Sequence, residues 1–204
     1  MKDFWNERYG QDAYAYGEAP NRYFSQVLAG IDPGCILLPA EGEGRNAVFA
    51  ARHGWKVNAF DLSSEGQRKA LALAGKHGVH IEYALGTPET AKYAPHSFDA
   101  LALIYAHFDG KLRSQYHRLL DGYVKVGGLV IMEGFAKRHL AYSASNPKAG
   151  GPKNESMLLS KEEIAQDFSN YKIIELEEVD TDLNEGLYHQ GMSAVVRFTG
   201  VKLR

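Results

Sequence analysis

The sequence has a single cysteine, Cys35, among 204 residues. No disulfide can form within such a chain, and a reducing, cytoplasmic setting is the expectation. A surplus of one charge is missing too: 23 Lys and Arg stand against 25 Asp and Glu, a formal net charge of -2. Nucleic acids and membrane surfaces select strongly basic faces, so neither is an expected partner. No apolar run approaches the roughly 18 residues needed to span a bilayer. The opening MKDFWNERYGQD lacks the apolar core of a signal peptide. Repeats, low-complexity tracts and linker-like stretches are also lacking, so residues 1–204 are expected to form one domain. The eight histidines show no HxH or HExxH spacing, so no metal site is expected. Cys35, in an apolar run, reads as a core residue.

What is present is an alternation of short apolar runs with helical patterns. Cys35–Pro39, Lys56–Asp61, His80–Leu85, Phe98–Ile104 and Gly128–Met132 read as strands. Between them, helices are expected over Asn21–Leu28, Arg45–His53, from Ser63 or Ser64 to His77, and over Leu112–Tyr123. Ser160-Lys161-Glu162-Glu163 is a capping-box signature that opens a further helix to about Phe168. Ile173–Val179 and Ser193–Val201 read as two last strands with no helix between them. This order predicts an α/β fold: a Rossmann-like sandwich on a mostly parallel seven-stranded sheet, closed by an antiparallel C-terminal hairpin.

The turn after the first strand reads Ala40-Glu41-Gly42-Glu43-Gly44-Arg45-Asn46-Ala47. Gly42 and Gly44 permit a tight turn and a close backbone approach to a ligand. The GxGxxA spacing by itself suits either a dinucleotide or another adenosyl ligand. Glu41 and Glu43 separate these, since two carboxylates oppose a pyrophosphate and favour a cation. Asp61 ends the second strand, where an acid can accept both ribose hydroxyls.

Four stretches carry a family resemblance: FWNERY and AYGEAPN within Phe4–Asn21; LLPAEGEGRNAVFAA and VNAFDLS; YAHFDGKLR and VKVGGLVIMEGF; GGPKNESMLLSKEE and EGLYHQGMSAVVR. They resemble class I S-adenosylmethionine-dependent methyltransferases, and within these the tellurite-resistance and thiopurine branch. The resemblance implies S-adenosyl-L-methionine as cofactor, lying across the carboxyl ends of the strands. It implies cofactor contacts at Gly42, Gly44 and Asn46, at Asp61 and Leu62, at Thr87 and Pro88, and at Ile104 and Tyr105. It also implies an N-terminal lid over residues 1–30, in which Trp5, Tyr9, Tyr14 and Tyr16 are candidates to face the cofactor. Three departures stand out: Leu38 replaces an acid, Ala40 a glycine and Thr87 an aspartate. Glu41 is expected to take over part of the stabilisation of the cofactor's ammonium.

His107, His189 and Tyr16 are the candidate catalytic residues. His107 follows the fourth strand at the ligand-binding edge, and His189 lies in the turn between the last two strands. Of Glu133 and Phe135, one is expected to line the site and the other to pack outward. Lys137, Arg138 and His139 are expected to be a solvated basic cluster. The loop over residues 141–159, rich in Gly, Pro, Ser and Asn, is expected to close over a small-molecule acceptor. A non-catalytic protein that binds S-adenosylmethionine or S-adenosylhomocysteine is the alternative. A nicotinamide-dependent reductase is the third reading. The oligomeric state and the acceptor are not legible.

Overall fold

Apolar side chains fall on both faces of the central strands, so each strand must be covered twice. A computed structural model, which describes residues 1–204, shows how. In β1 (Cys35–Pro39), Ile36 and Leu38 enter one core and Leu37 the other. In β4 (Phe98–Ile104), Ala100 and Ala102 face one layer, and Leu101 and Leu103 the opposite one. β5 (Val124–Phe135) repeats the alternation with Leu129 and Ile131 against Val130 and Met132. Successive strand side chains point to opposite faces, which produces the two cores.

With β2 (Lys56–Asp61), β3 (Glu82–Leu85), β6 (Tyr171–Glu185) and β7 (His189–Lys202), the seven-stranded sheet has the order β3-β2-β1-β4-β5-β7-β6. β1 to β5 pair in parallel; β7 runs antiparallel to both β5 and β6. Helices α2 (Arg22–Leu28), α3 (Arg45–Arg52) and α4 (Ser64–Lys76) cover one face, while α5 (Arg113–Asp121) and α7 (Lys161–Asp167) cover the other. Asn21, Ser63 and Ser160 cap three of these helices by accepting from the N–H of Phe24, Gly66 and Glu163, each cap worth about 1 kcal/mol. The strand order steps outward from β1 to β3, then restarts at β4 on the other side of β1. Ligands bind at such a switch point, beyond the carboxyl ends of the strands.

The expected fold is therefore the observed one, but several elements differ. β5 extends well beyond Gly128–Met132, because Glu133 stays in the ladder and is buried. The hairpin strands outrun the expected spans: the acid-rich end of β6, Asp180 to Glu185, pairs in register with β7 up to Glu185 opposite His189. Its alternation is masked because it leaves the covered part of the sheet. The N-terminal segment contains an unexpected helix, α1 (Lys2–Tyr9), which has no side-chain cap at Met1. The expected open loop at 141–159 is largely folded: α6 (His139–Ser145) enters it, and two 3₁₀ turns follow at Pro147–Ala149 and Glu155–Met157. Three-residue turns carry no periodicity, which is why composition alone reads them as loop. The basic cluster is split. Lys137 pairs with Glu163 and Arg138 with Glu178 and Asp180, whereas His139 is fully buried. Cys35 is half-buried at the strand's start rather than in the core.

Candidate active site

A cavity of about 640 Å³ opens at the carboxyl ends of β1, β2 and β4, within the size range of small-molecule sites. Ala40, Glu41, Glu43, Arg45 and Asn46 supply its wall after β1. Phe60, Asp61 and Leu62 follow from β2, Thr87 and Pro88 from the loop after β3, and Ile104, Tyr105, His107 and Phe108 from β4. The roof comes from three separate pieces: Trp5, Arg8, Tyr9 and Tyr16 of the N-terminal segment, Gly151 to Asn154 with Met157, and His189 of the hairpin.

The glycines act behind this wall rather than on it. Gly42 and Gly44 hold φ of +62 and +87. A Cβ on Gly42 would lie 2.6 Å from the Tyr9 hydroxyl, and one on Gly44 would lie 2.5 Å from Ala70 Cβ. The first glycine lets the N-terminal helix approach the turn; the second lets α3 pack on α4. Ala40 takes a left-handed φ of +53 in the place where the family resemblance expects glycine, a conformation that costs an L-residue about 1–2 kcal/mol.

Glu41 has a second, capping role, and Glu43 does different work from that expected. Glu41 Oε1 accepts from the N–H groups of Asn46 at 2.9 Å and Ala47 at 2.7 Å, so it caps the start of α3. Its Oε2 has only a 3.5 Å contact with the Asn46 side-chain amide. Burial raises this carboxyl to about 7, against the pull of its backbone donors. One oxygen thus remains for a cation. Glu43 bonds Lys69 at 2.9 Å and accepts from Ala15 N–H at 2.7 Å. Its charge is balanced inside the protein, so it anchors the N-terminal segment and does not confront a ligand alone.

Asp61 is buried and accepts from Gly42 N–H at 3.1 Å and Ser63 N–H at 2.9 Å. A carboxylate offers about four acceptor positions, so acceptor capacity remains for a ligand. Thr87, half-exposed, donates its hydroxyl to Glu89 at 3.0 Å. Trp5 and Tyr9 stack at 5.3 Å beside the Asp61 end. Tyr14, unlike its aromatic neighbours, leaves the cavity and donates to the Lys69 carbonyl at 3.2 Å.

At the other end, three imidazoles surround Phe135. His107 lies 5.6 Å from its ring, His139 4.0 Å and His189 5.0 Å. Both nitrogens of His107 are engaged: Nδ1 with the Met157 carbonyl at 2.9 Å, and Nε2 as acceptor from Phe135 N–H at 3.1 Å. Burial depresses its pKa to about 4. His107 is therefore a structural strut with no nitrogen left to act as a base, which corrects its candidacy. His189 contacts Tyr16 and Tyr105, each at 4.4 Å between ring centres. Tyr16 itself accepts from Arg8 at 3.0 Å.

A buried polar network supports this end. Arg45 donates to Glu185 at 2.7 Å, and Asn21 bridges Glu185 at 3.1 Å and Glu133 at 2.6 Å. Tyr105, at a left-handed φ of +52, donates to Glu133 at 3.1 Å, and Arg197 pairs with Glu133 at 2.7 Å. Glu133 and Phe135 are both buried, so neither packs outward. Strain of this kind persists where the surroundings over-determine a conformation, often at functional sites. Arg8, Arg45, Phe108 and Glu185 belong to the site or its supporting network without standing out in the sequence. Arg45 carried the one available signal, its place directly after the glycine turn.

The fold is a Rossmann-like sheet with a cavity at its switch point. Residues 37–132 match a family described as a methyltransferase domain. The resemblance to class I S-adenosylmethionine-dependent methyltransferases is thereby borne out, and with it S-adenosylmethionine as the cofactor of the class. The chain is similar in structure to a protein described under conversion of a disulfide bond into a thioacetal group during echinomycin biosynthesis, with TM-score 0.80, 16% identity, and coverage of 99% of this chain and 92% of that one. It is also similar to TehB from Haemophilus influenzae (TM-score 0.71, 14% identity, 98% of this chain and 66% of that one). A third likeness is to magnesium protoporphyrin IX methyltransferase from Synechocystis PCC 6803 with bound SAH (TM-score 0.71, 15% identity, 98% and 97%). At these identities the likeness establishes the fold. A comparison with curated proteins finds no match. No helix is long and apolar enough to cross a membrane.

Proposed function

We propose that the chain transfers a methyl group from S-adenosylmethionine to a small-molecule acceptor by in-line displacement, in a cytoplasmic setting and as one domain. One observation carries this reading: a single cavity joins Asp61 and Glu41 at one end to the His189, Tyr16 and Tyr105 cluster at the other. Asp61 holds the ribose with its remaining acceptor capacity. The outward oxygen of Glu41 receives the ammonium. Trp5 and Tyr9 cover the adenosyl group as part of the N-terminal lid. Leu62, Thr87, Pro88 and Ile104 bound the adenine side. The cofactor supplies a methyl already activated by a sulfonium, so the protein must chiefly align the acceptor and exclude water. Alignment of this kind is worth about 7–11 kcal/mol. The segment Gly151 to Asn154 closes the acceptor end.

The test is a methyl-transfer assay with labelled cofactor over a panel of thiols, phenols and amines, beside calorimetric titration of the cofactor. Binding with turnover is the expected result. Binding without turnover on any acceptor points to the non-catalytic adenosyl-binding alternative. NADH binding in place of S-adenosylmethionine overturns the assignment.

A further inference from the structure

His189 is the one imidazole beside the cavity that keeps a nitrogen to spare. Its Nδ1 faces Glu185 Oε2 at 3.3 Å. Glu185 is itself held as a carboxylate by Arg45 at 2.7 Å and Asn21 at 3.1 Å. An ionised carboxylate accepts and does not donate, so the proton of the neutral ring belongs on Nδ1. That leaves Nε2 with a lone pair and no hydrogen-bond partner in the protein, while the ring lines the cavity. The contrast with its neighbours is sharp. His107 spends both nitrogens on Met157 and Phe135, and His139 spends both on Gly150 and Ala194. The His189 ring is fixed between Tyr16 and Tyr105, each 4.4 Å away. Glu185 and His189 face each other across the last rung of the β6–β7 hairpin, so the pair is built into the ladder and not into a mobile loop.

Resting on the methyl-transfer reading above, we propose that His189 Nε2 is the general base of the site and Glu185 its positioning residue, serving an acceptor whose nucleophile is a protonated thiol or hydroxyl on an apolar or aromatic carrier. The acceptor's S–H or O–H electron pair forms the new bond to the methyl carbon. The carbon–sulfonium bond breaks with its pair going to sulfur, which becomes a neutral thioether. The released proton passes to Nε2; burial holds this imidazole down to about 4, and the Glu185 carboxylate opposes that shift. An amine that arrives as an ammonium suits the site poorly, because Arg8 and Arg45 line the same cavity. The rings of Tyr16, Tyr105 and Phe135 suit a flat apolar carrier.

The experiment compares wild type with His189→Gln on matched acceptors. Benzyl mercaptan and phenol carry their proton at the assay pH; 4-nitrothiophenol and pentafluorophenol have already lost it. Positioned bases contribute about 10²–10⁴-fold. The substitution should therefore slow the protonated pair by about 100-fold or more and change the ionised pair by less than about 5-fold. Equal slowing of both pairs, or no slowing, overturns the proposal. So does cofactor binding with no methylation of any thiol or phenol. Loss of cofactor binding in the wild type instead sinks the methyl-transfer reading itself. Nitrogen-15 NMR of the wild-type imidazole gives a readout independent of turnover. It should show Nδ1 protonated and Nε2 bare, with Glu185→Gln mixing the two tautomers; an Nε2-protonated ring in the wild type contradicts the assignment.

Discussion

The two ends of the cavity are built by different rules. The end around Asp61 and Glu41 arises from short βα turns, and its key contacts are local: Glu41 with Asn46 and Ala47, Asp61 with Ser63. The end around His189 is assembled from segments far apart in the chain. Asn21 meets Glu133 and Glu185, Arg45 meets Glu185, and Gly186 of the hairpin tip abuts Ala15 to Gly17. The local end is set by the strand–turn–helix geometry common to the fold. The distant end depends on how the N-terminal segment, the 3₁₀ turns and the hairpin tip converge; under the proposed function, acceptor choice can diverge there without disturbing cofactor binding.

Four substitutions or titrations separate the ends, ranked by expected effect. Asp61→Ala removes charge-assisted acceptors, each worth about 1.5–3 kcal/mol. S-adenosylmethionine affinity should fall by about 100-fold or more in calorimetry, with the His189 tautomer unchanged. A collapse of both ends together would show that they are not separable. Gly186→Val attacks the other end, since a Cβ there would lie 2.4 Å from Gly17 N and 2.5 Å from the Ala15 carbonyl oxygen. The hairpin tip must then retreat from the lid. Turnover should drop by about 10-fold or more, through lost alignment, while cofactor affinity changes only a few-fold.

The third concerns Glu41, whose carboxyl sits at about 7 through burial. At about 7 the carboxyl is half protonated at neutral pH before a cation arrives, and under the proposed role a bound ammonium expels that proton. Cofactor affinity should therefore be full above about pH 7 and fall below it toward about tenfold per pH unit. Calorimetry in buffers of different ionisation enthalpy reads the released proton, and Glu41→Gln should flatten the dependence. A wild-type affinity indifferent to pH would return Glu41 to a purely structural cap. Smallest is Thr87→Ala. Its hydroxyl already serves Glu89, so the loss in cofactor affinity should stay below about threefold.

The same contrast explains what the sequence made legible. β1, β2 and β4 were read to the residue, because their runs are apolar and bounded by glycine or polar breaks. Asp61 and the Ala40–Ala47 turn followed from position alone. The left-handed Ala40 shows that the turn kept its shape after losing a glycine. The distant end is only partly legible. His189 and Tyr16 stand out by position, but nothing local to Glu185 in an acid-rich strand distinguishes a largely buried partner of Arg45 from a solvated charge. His107 was misread for the complementary reason: its place after β4 is right, but its two hydrogen bonds come from residues 28 and 50 positions away.

A crystal structure with S-adenosylhomocysteine tests the division most directly. Both ribose hydroxyls should lie within hydrogen-bonding distance of the Asp61 carboxylate, with the thioether sulfur directed toward the space between Tyr16, Tyr105 and His189. An adenosine seated against His189, or a ribose out of reach of Asp61, would contradict the account.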